Sequence, residues 1–286
     1  MRKIGLHLGI TSTLNDLVQR AICLELPFFQ CFFTGRKTGK VMIPDDQDVR
    51  EFLSLRRIYF NKLYVHSSYF INLASIDRRY HPLLSKEIVL AKRLEFTHMV
   101  IHPGAVKKVE DKSAGIDAVV RIINYLLRKE RSIQFLLENS AHGELAIGSN
   151  IEDFQQLLTK LDQPDRIGFC IDTAHVHAAG YDILSCKGYE QFIKLLEKTI
   201  GLEKIKLIHL NGTQELCGSC VDMHSYIGDE HAILSEFGLK RFVHDKRLIN
   251  IPILTEPPAI AENDERRMLV KVNEWLSPKL PDQIMK

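Results

Sequence analysis

The chain of 286 residues has a net charge of +2, with 45% hydrophobic and 26% charged residues. That length holds one large domain or two small ones with ample core, and the composition excludes a disordered or low-complexity chain. The near-balanced charge neither argues for nor excludes a nucleic-acid partner, whereas the lack of any apolar run approaching the roughly 18 residues of a membrane span points to a soluble protein, with no membrane partner expected.

Six cysteines stand at irregular spacings (Cys23, Cys31, Cys170, Cys186, Cys217 and Cys220), and the N-terminal MRKIGLHLGI is too short and polar for a signal peptide. Both point to a reducing, cytoplasmic setting with free thiols.

In chain order, eight short apolar or β-branched runs read as strands: KIGLHLGI (3–10), PFFQCFF (27–33), LYVHSSY (63–69), HMVIHPG (98–104), IQFLLEN (133–139), IGFCIDT (167–173), IKLIHLN (205–211) and IPILTEP (251–257). Segments with helical spacing lie between them, most clearly at 84–96, 116–130, 149–161, 188–200 and 263–276. In the third of these, Ser149 or Asn150 offers an N-cap, with acidic residues in the first turn where the helix dipole favours them. Strands that are apolar on both faces imply a parallel sheet covered by helices, and eight alternations without a long linker imply an α/β fold with a single (β/α)8 barrel, ending in a short tail from about residue 278. Periodicity alone leaves an open doubly wound sheet as the alternative.

From the third strand onward, the strands end in residues able to bind a metal: His66, His102, Glu138, Asp172, His209 and Glu256. In a βα barrel these ends converge on one rim. Asp172 and His175, three apart, share one side of the turn after their strand. Asp222 and His224 form Asp-x-His, which in an extended segment aims both side chains to one face. Each residue singly has an ordinary explanation, as a hydrogen-bonded structural histidine or a rim salt bridge. Together they form a set of buried ionisable groups that would be costly without cations. Nitrogen and carboxylate donors favour zinc, or another divalent ion such as manganese, in a catalytic site. Several such ions suit phosphoester hydrolysis.

These residues lie in VHSSYFINLAS (65–75), VIHPGA (100–105), LLENSA (136–141), GFCIDTAHVHAAGYD (168–182), IHLNGTQELCGSCVDMH (208–224) and IPILTEP (251–257). In order and spacing these stretches resemble the endonuclease IV family, metal-dependent apurinic/apyrimidinic endonucleases built on a βα barrel shared with xylose isomerase-like enzymes. The resemblance runs from about residue 60 to 257. It implies three zinc ions: one held by His66 and His102 and bridged by Glu138 to a second, which Asp172, His209 and Glu256 complete, and a third held by His175, Asp222 and His224. It further implies double-stranded DNA with abasic sites as substrate, cleaved 5′ to the lesion, with Glu138 or Glu256 positioning the attacking hydroxide. The acting unit is expected to be a monomer.

Tyr69 matches a tyrosine that reaches into DNA in that family, and Arg36 and Lys37, with Lys40, stand where phosphate contacts are expected. The basic turn FFTGRKTGK is shorter than its family counterpart. Cys220 and Met223 flank Val221-Asp222 where arginines are usual, and Asp229 and Glu230 replace part of a glycine-rich stretch at a place where a phosphate is expected to approach. Cys217 and Cys220 are read as incidental thiols, and His177 and His142 receive no role. The rival readings are a sugar isomerase or epimerase of the same barrel type, and a damage-binding protein with weak cleavage. A ligand set of His175, Asp222 and His224 has no purpose in the isomerases.

Overall fold

The computed structural model describes residues 4–75 and 81–276; the tail expected from about 278 lies outside them. Eight parallel strands close into one barrel in sequence order, with β8 returning to β1. They are β1 (Ile4–His7), β2 (Phe29–Phe32), β3 (Tyr64–His66), β4 (His98–Ile101), β5 (Gln134–Glu138), β6 (Gly168–Asp172), β7 (Ile205–His209) and β8 (Ile253–Thr255). Closure rules out the open sheet. Each strand lies within its expected run, β4 and β7 starting at its first residue, since the pairing stops where the chain leaves the barrel wall.

The helices are α1 (Leu14–Cys23), α2 (Asp46–Tyr59), α3 (His81–Arg93), α4 (Lys112–Lys129), α5 (Glu152–Lys160), α6 (Thr173–Ala178), α7 (Cys186–Thr199), α8 (Glu236–His244) and α9 (Glu262–Leu276). None of the described helices is long and apolar enough to cross a membrane. Their starts follow capping chemistry: Thr13 accepts from the Asp16 amide, Asp45 from that of Asp48, and Ser185 from that of Gly188. One expected cap differs. The third expected helix begins at Glu152, with Ile151 at the cap position, so Ser149 is not its cap. Asn150 still serves the helix end, its Oδ1 accepting from the Glu152 amide at 3.0 Å.

Two apolar layers follow from the alternation of strand side chains. The larger packs between barrel and helices, as with Phe29, Phe52, Phe96 and Phe135. The smaller takes one residue from each of seven strands or their approaches, Phe28, Tyr64, Val100, Leu136, Cys170, Leu207 and Leu254, and fills the barrel interior. The first strand contributes Gly5 instead, because a Cβ there would lie 2.3 Å from the Phe28 ring. Two residues further along each strand, the interior changes character.

Candidate metal centre

Adding two to each member of the inner layer gives Gln30, His66, His102, Glu138, Asp172, His209 and Glu256, and Gly5 is followed in the same way by His7. The strand period of two therefore stacks a polar layer directly on the apolar one, at the C-terminal rim. Glu138, Asp172 and His209 are fully buried, and His66 nearly so.

The donors form three overlapping groups. His66, His102 and Glu138 make the first; Glu138, Asp172, His209 and Glu256 the second; Asp172, His175 and His224 the third. Glu138 is common to the first two, with Oε2 at 2.8 Å from His66 Nε2 and 3.3 Å from His102 Nε2, and Oε1 at 2.8 Å from His209 Nδ1. Asp222 joins the third group from the loop after β7: its Oδ1 lies 3.1 Å from His175 Nε2 and 3.4 Å from His224 Nε2. Asp172 is shared between the second and third groups, which the sequence reading keeps apart. Its Oδ1 caps α6 by accepting from the His175 amide at 3.0 Å. Its Oδ2 accepts from Asn211 Nδ2 at 2.6 Å and lies 3.6 Å from His224 Nε2. The cap fixes where α6 starts, and so swings His175 over the rim.

The histidine tautomers are set from outside. His66 Nδ1 lies 2.8 Å from the Ser67 carbonyl, His175 Nδ1 2.9 Å from the Asn139 carbonyl and His224 Nδ1 3.2 Å from the Glu256 carbonyl. A carbonyl oxygen can only accept, so each outer nitrogen donates and each Nε2 turns a lone pair inward. The Nε2 atoms of His175 and His224 then face each other at 3.4 Å. With both imidazoles neutral, two lone pairs at that distance repel unless a proton or a metal ion lies between or beside them, an arrangement that fits a metal ion.

Electrostatics agree. Burial pushes the Glu138 and Glu256 carboxyls upward, but the surrounding histidines outweigh it and hold both well below the usual range. Burial would likewise depress His175 and His209, yet Asp172 and Asp222 beside the first, and Cys170, Glu256 and Glu138 beside the second, raise both well above the ordinary histidine value. His102, with less compensation, is lowered to about 4 by burial. The rim is thus an excess of fixed negative charge that draws cations, whether protons or metal ions. Cys170 also approaches Glu138 and His209, but burial raises its thiol to about 12, which keeps it protonated and a poor competitor for a ligand position.

Above the centre lies an open cleft of about 1040 Å³, lined among others by His7, Arg36, Tyr69, His142, Met223 and Glu256. Tyr69 is 48% exposed on its wall, with Phe32 edge-on at 5.8 Å and the Arg36 guanidinium 5.8 Å above the ring. Lys37 and Lys40 are exposed on the turn that closes when Gly35 N donates to the Lys40 carbonyl, and neither lines the cleft. Asp229 and Glu230 are also outside it, Asp229 accepting from Gln214 Nε2 at 2.8 Å. The acidic stretch therefore does not stand in the cleft, contrary to its expected place near a phosphate. His142 Nε2 approaches Asp222 Oδ2 to 3.8 Å, and His177 is buried without joining the centre.

Sequence reasoning missed His7 and Gln30. Gln30 is fully buried and donates from Nε2 to Glu256 Oε1 at 2.6 Å, while His7 Nδ1 lies 3.2 Å from the same oxygen. A lone amide inside FFQCFF was the available signal.

An eight-stranded barrel with a donor cluster at its C-terminal rim defines a broad class. Residues 23–277 match the model of the family described as xylose isomerase-like TIM barrel. Within that class, the chain is 32% identical over 265 residues to the probable endonuclease 4 of Thermosipho melanesiensis, covering 90% of this chain and 93% of that one. It is 30% identical over 265 residues to the probable endonuclease 4 of Thermotoga maritima, with 90% and 91% covered. The crystal structure of endonuclease IV from Thermus thermophilus superposes with a TM-score of 0.81 at 25% identity, over 96% of this chain and 98% of that chain. The chain belongs to the endonuclease IV family.

Proposed function

We propose that the protein is a zinc-dependent apurinic/apyrimidinic endonuclease that hydrolyses the DNA phosphodiester 5′ to an abasic site in base excision repair, leaving a 3′-hydroxyl and a 5′-deoxyribose phosphate. The observation that carries the reading is the linked donor set, in which Glu138 and Asp172 are each shared between neighbouring groups of histidines and carboxylates. Such sharing holds several ions close together, the arrangement suited to a phosphodiester rather than to a single carbonyl.

His66, His102 and Glu138 would hold one ion; Glu138, Asp172, His209 and Glu256 a second; His175, Asp222 and His224 a third. Zinc suits these donors, with manganese an alternative at one or more positions. When bound, the ions supply a hydroxide near neutral pH and neutralise charge on the cleaved phosphate.

The chain's own residues do the positioning. Glu138 and Glu256, both held ionised, belong to the second group and can orient the attacking oxygen and accept its proton. Ser67, Asn139 and Glu256 carbonyls keep three imidazoles turned inward, so the site needs little reorganisation. The cleft is wide enough for an extrahelical sugar, and flipping costs least where the base is already missing. Tyr69, backed by Phe32 and Arg36, offers an aromatic face to the duplex, and Arg36 a charge for phosphate; Lys37 and Lys40 would act only on more distant phosphates. The third donor group favours this reading over a sugar isomerase of the same barrel type.

The test is incubation of the purified protein with a duplex oligonucleotide carrying one abasic analogue, followed by product sizing with and without chelator. A nick 5′ to the lesion that disappears on chelation is expected; a metal-replete protein that makes no lesion-dependent nick would refute the assignment.

A further inference from the structure

Three of the rim histidines have their tautomers set by backbone carbonyls, which no substitution can remove. His209 differs: its outer nitrogen, Nε2, faces the side chain of Gln30 at 3.1 Å. The orientation of that amide is determined by its other neighbour. Glu256 Oε1 can only accept, so the Gln30 atom at 2.6 Å from it is the donating Nε2. Gln30 Oε1 is therefore the atom turned to His209, and it must receive a proton from His209 Nε2. In the neutral, metal-binding form the lone pair of His209 is therefore left on Nδ1, which lies 2.8 Å from Glu138 Oε1 and 3.1 Å from Glu256 Oε2.

The same amide orders Glu256. Its Oε1 accepts from Gln30 Nε2, with His7 Nδ1 3.2 Å from that oxygen and 3.0 Å from Gln30 Nε2, which leaves Oε2 facing His209. Gln30 sits on β2 two residues beyond Phe28, the layer position that donors occupy on the strands from β3 to β8. A fully buried amide in an apolar strand is costly unless each of its polar atoms is satisfied. Here each is satisfied by a member of the centre or its neighbour.

We propose that Gln30 is a positioning residue of the metal centre, which fixes His209 as the Nε2–H tautomer and turns Glu256 Oε2 inward, so that both can serve the group they share with Glu138 and Asp172. The inference rests on the metal reading above. Second-layer partners of metal ligands are worth about 10–100-fold in metal affinity or activity.

The experiment uses Gln30→Met, which keeps length and volume and removes both hydrogen bonds. Zinc-loaded wild type and variant are titrated with a competing chelator and their remaining zinc is counted. Three ions in the wild type, with one of them released from the variant at a roughly 10–100-fold lower chelator activity, is the expected result. Cleavage of the abasic duplex should lose kcat by a similar factor with KM unchanged, because Gln30 is fully buried and does not line the cleft. If both proteins hold three ions equally tightly, the positioning role is overturned and the metal reading stands; a wild type that takes up one ion or fewer overturns both. Long-range ¹H–¹⁵N correlation of the wild-type imidazoles tests the idea independently of the variant's folding. His209 must carry its proton on Nε2, and a proton on Nδ1 in the zinc-loaded protein overturns the proposal.

Discussion

Leu136 and Glu138 lie two residues apart on β5 and point into the same barrel, yet they belong to layers of opposite chemistry. Below, Leu136 packs with Tyr64, Val100, Cys170 and Leu207 in a dry cluster. Above, Glu138 is just as buried but is surrounded by His66, His102 and His209. One step of the strand period thus separates a layer that holds the barrel together from a layer that concentrates negative charge. The lower layer gains from exclusion of water and needs no partner. The upper layer is costly to bury and is stabilised only by cations, so stability is sacrificed there for a preorganised field.

Substitutions at these two positions should separate the layers. Glu138→Gln keeps shape and removes the shared charge: a fall of at least about 10³ in kcat for abasic-duplex cleavage is expected, equivalent to about 4 kcal/mol, with the circular dichroism spectrum and elution volume retained. Normal turnover in that variant would mean Glu138 links nothing. Leu136→Ala should behave in the opposite way. It opens a cavity in the dry layer and should lower unfolding free energy by about 2–5 kcal/mol in denaturant titration, while the zinc count of the folded fraction is unchanged. Loss of zinc in step with that destabilisation would show that the layers are one cooperative unit. A smaller effect is expected at the cleft wall. Tyr69→Ala should raise KM for the abasic duplex about tenfold, the order of one lost stacking contact, and leave kcat close to wild type; a fall in kcat alone would place Tyr69 in the chemistry rather than in DNA capture.

Most of this architecture can be read from residues. The eight strands are legible because a parallel sheet covered by helices needs runs apolar on both faces, and such runs recur between amphipathic segments. The rim donors from His66 to Glu256 are legible because each ends such a run, where a barrel topology brings strand ends together. His7 and Gln30 are less so. On β1 and β2 the polar residue sits inside the run rather than at its end, and only the side-chain contacts in the folded barrel, Gln30 with His209 and Glu256 and His7 with Glu256, show that it shares the rim layer. The short α6 is hidden for another reason: its six residues, TAHVHA, are too few to carry a helical period, and its start depends on the Asp172 cap. That Asp172 adjoins both the second and the third donor groups could not be read either, because its Oδ2 comes near both His209 and His224 only in the folded barrel. The place of Asp229 and Glu230 outside the cleft depends on loop geometry that spacing does not encode.

Elemental analysis of protein purified without chelator and reconstituted with zinc tests the proposed three-ion reading of the upper layer. About three ions per chain are predicted, lost together on chelation and restored by added zinc. A well-folded, unchelated chain that retains one ion or fewer would contradict the account.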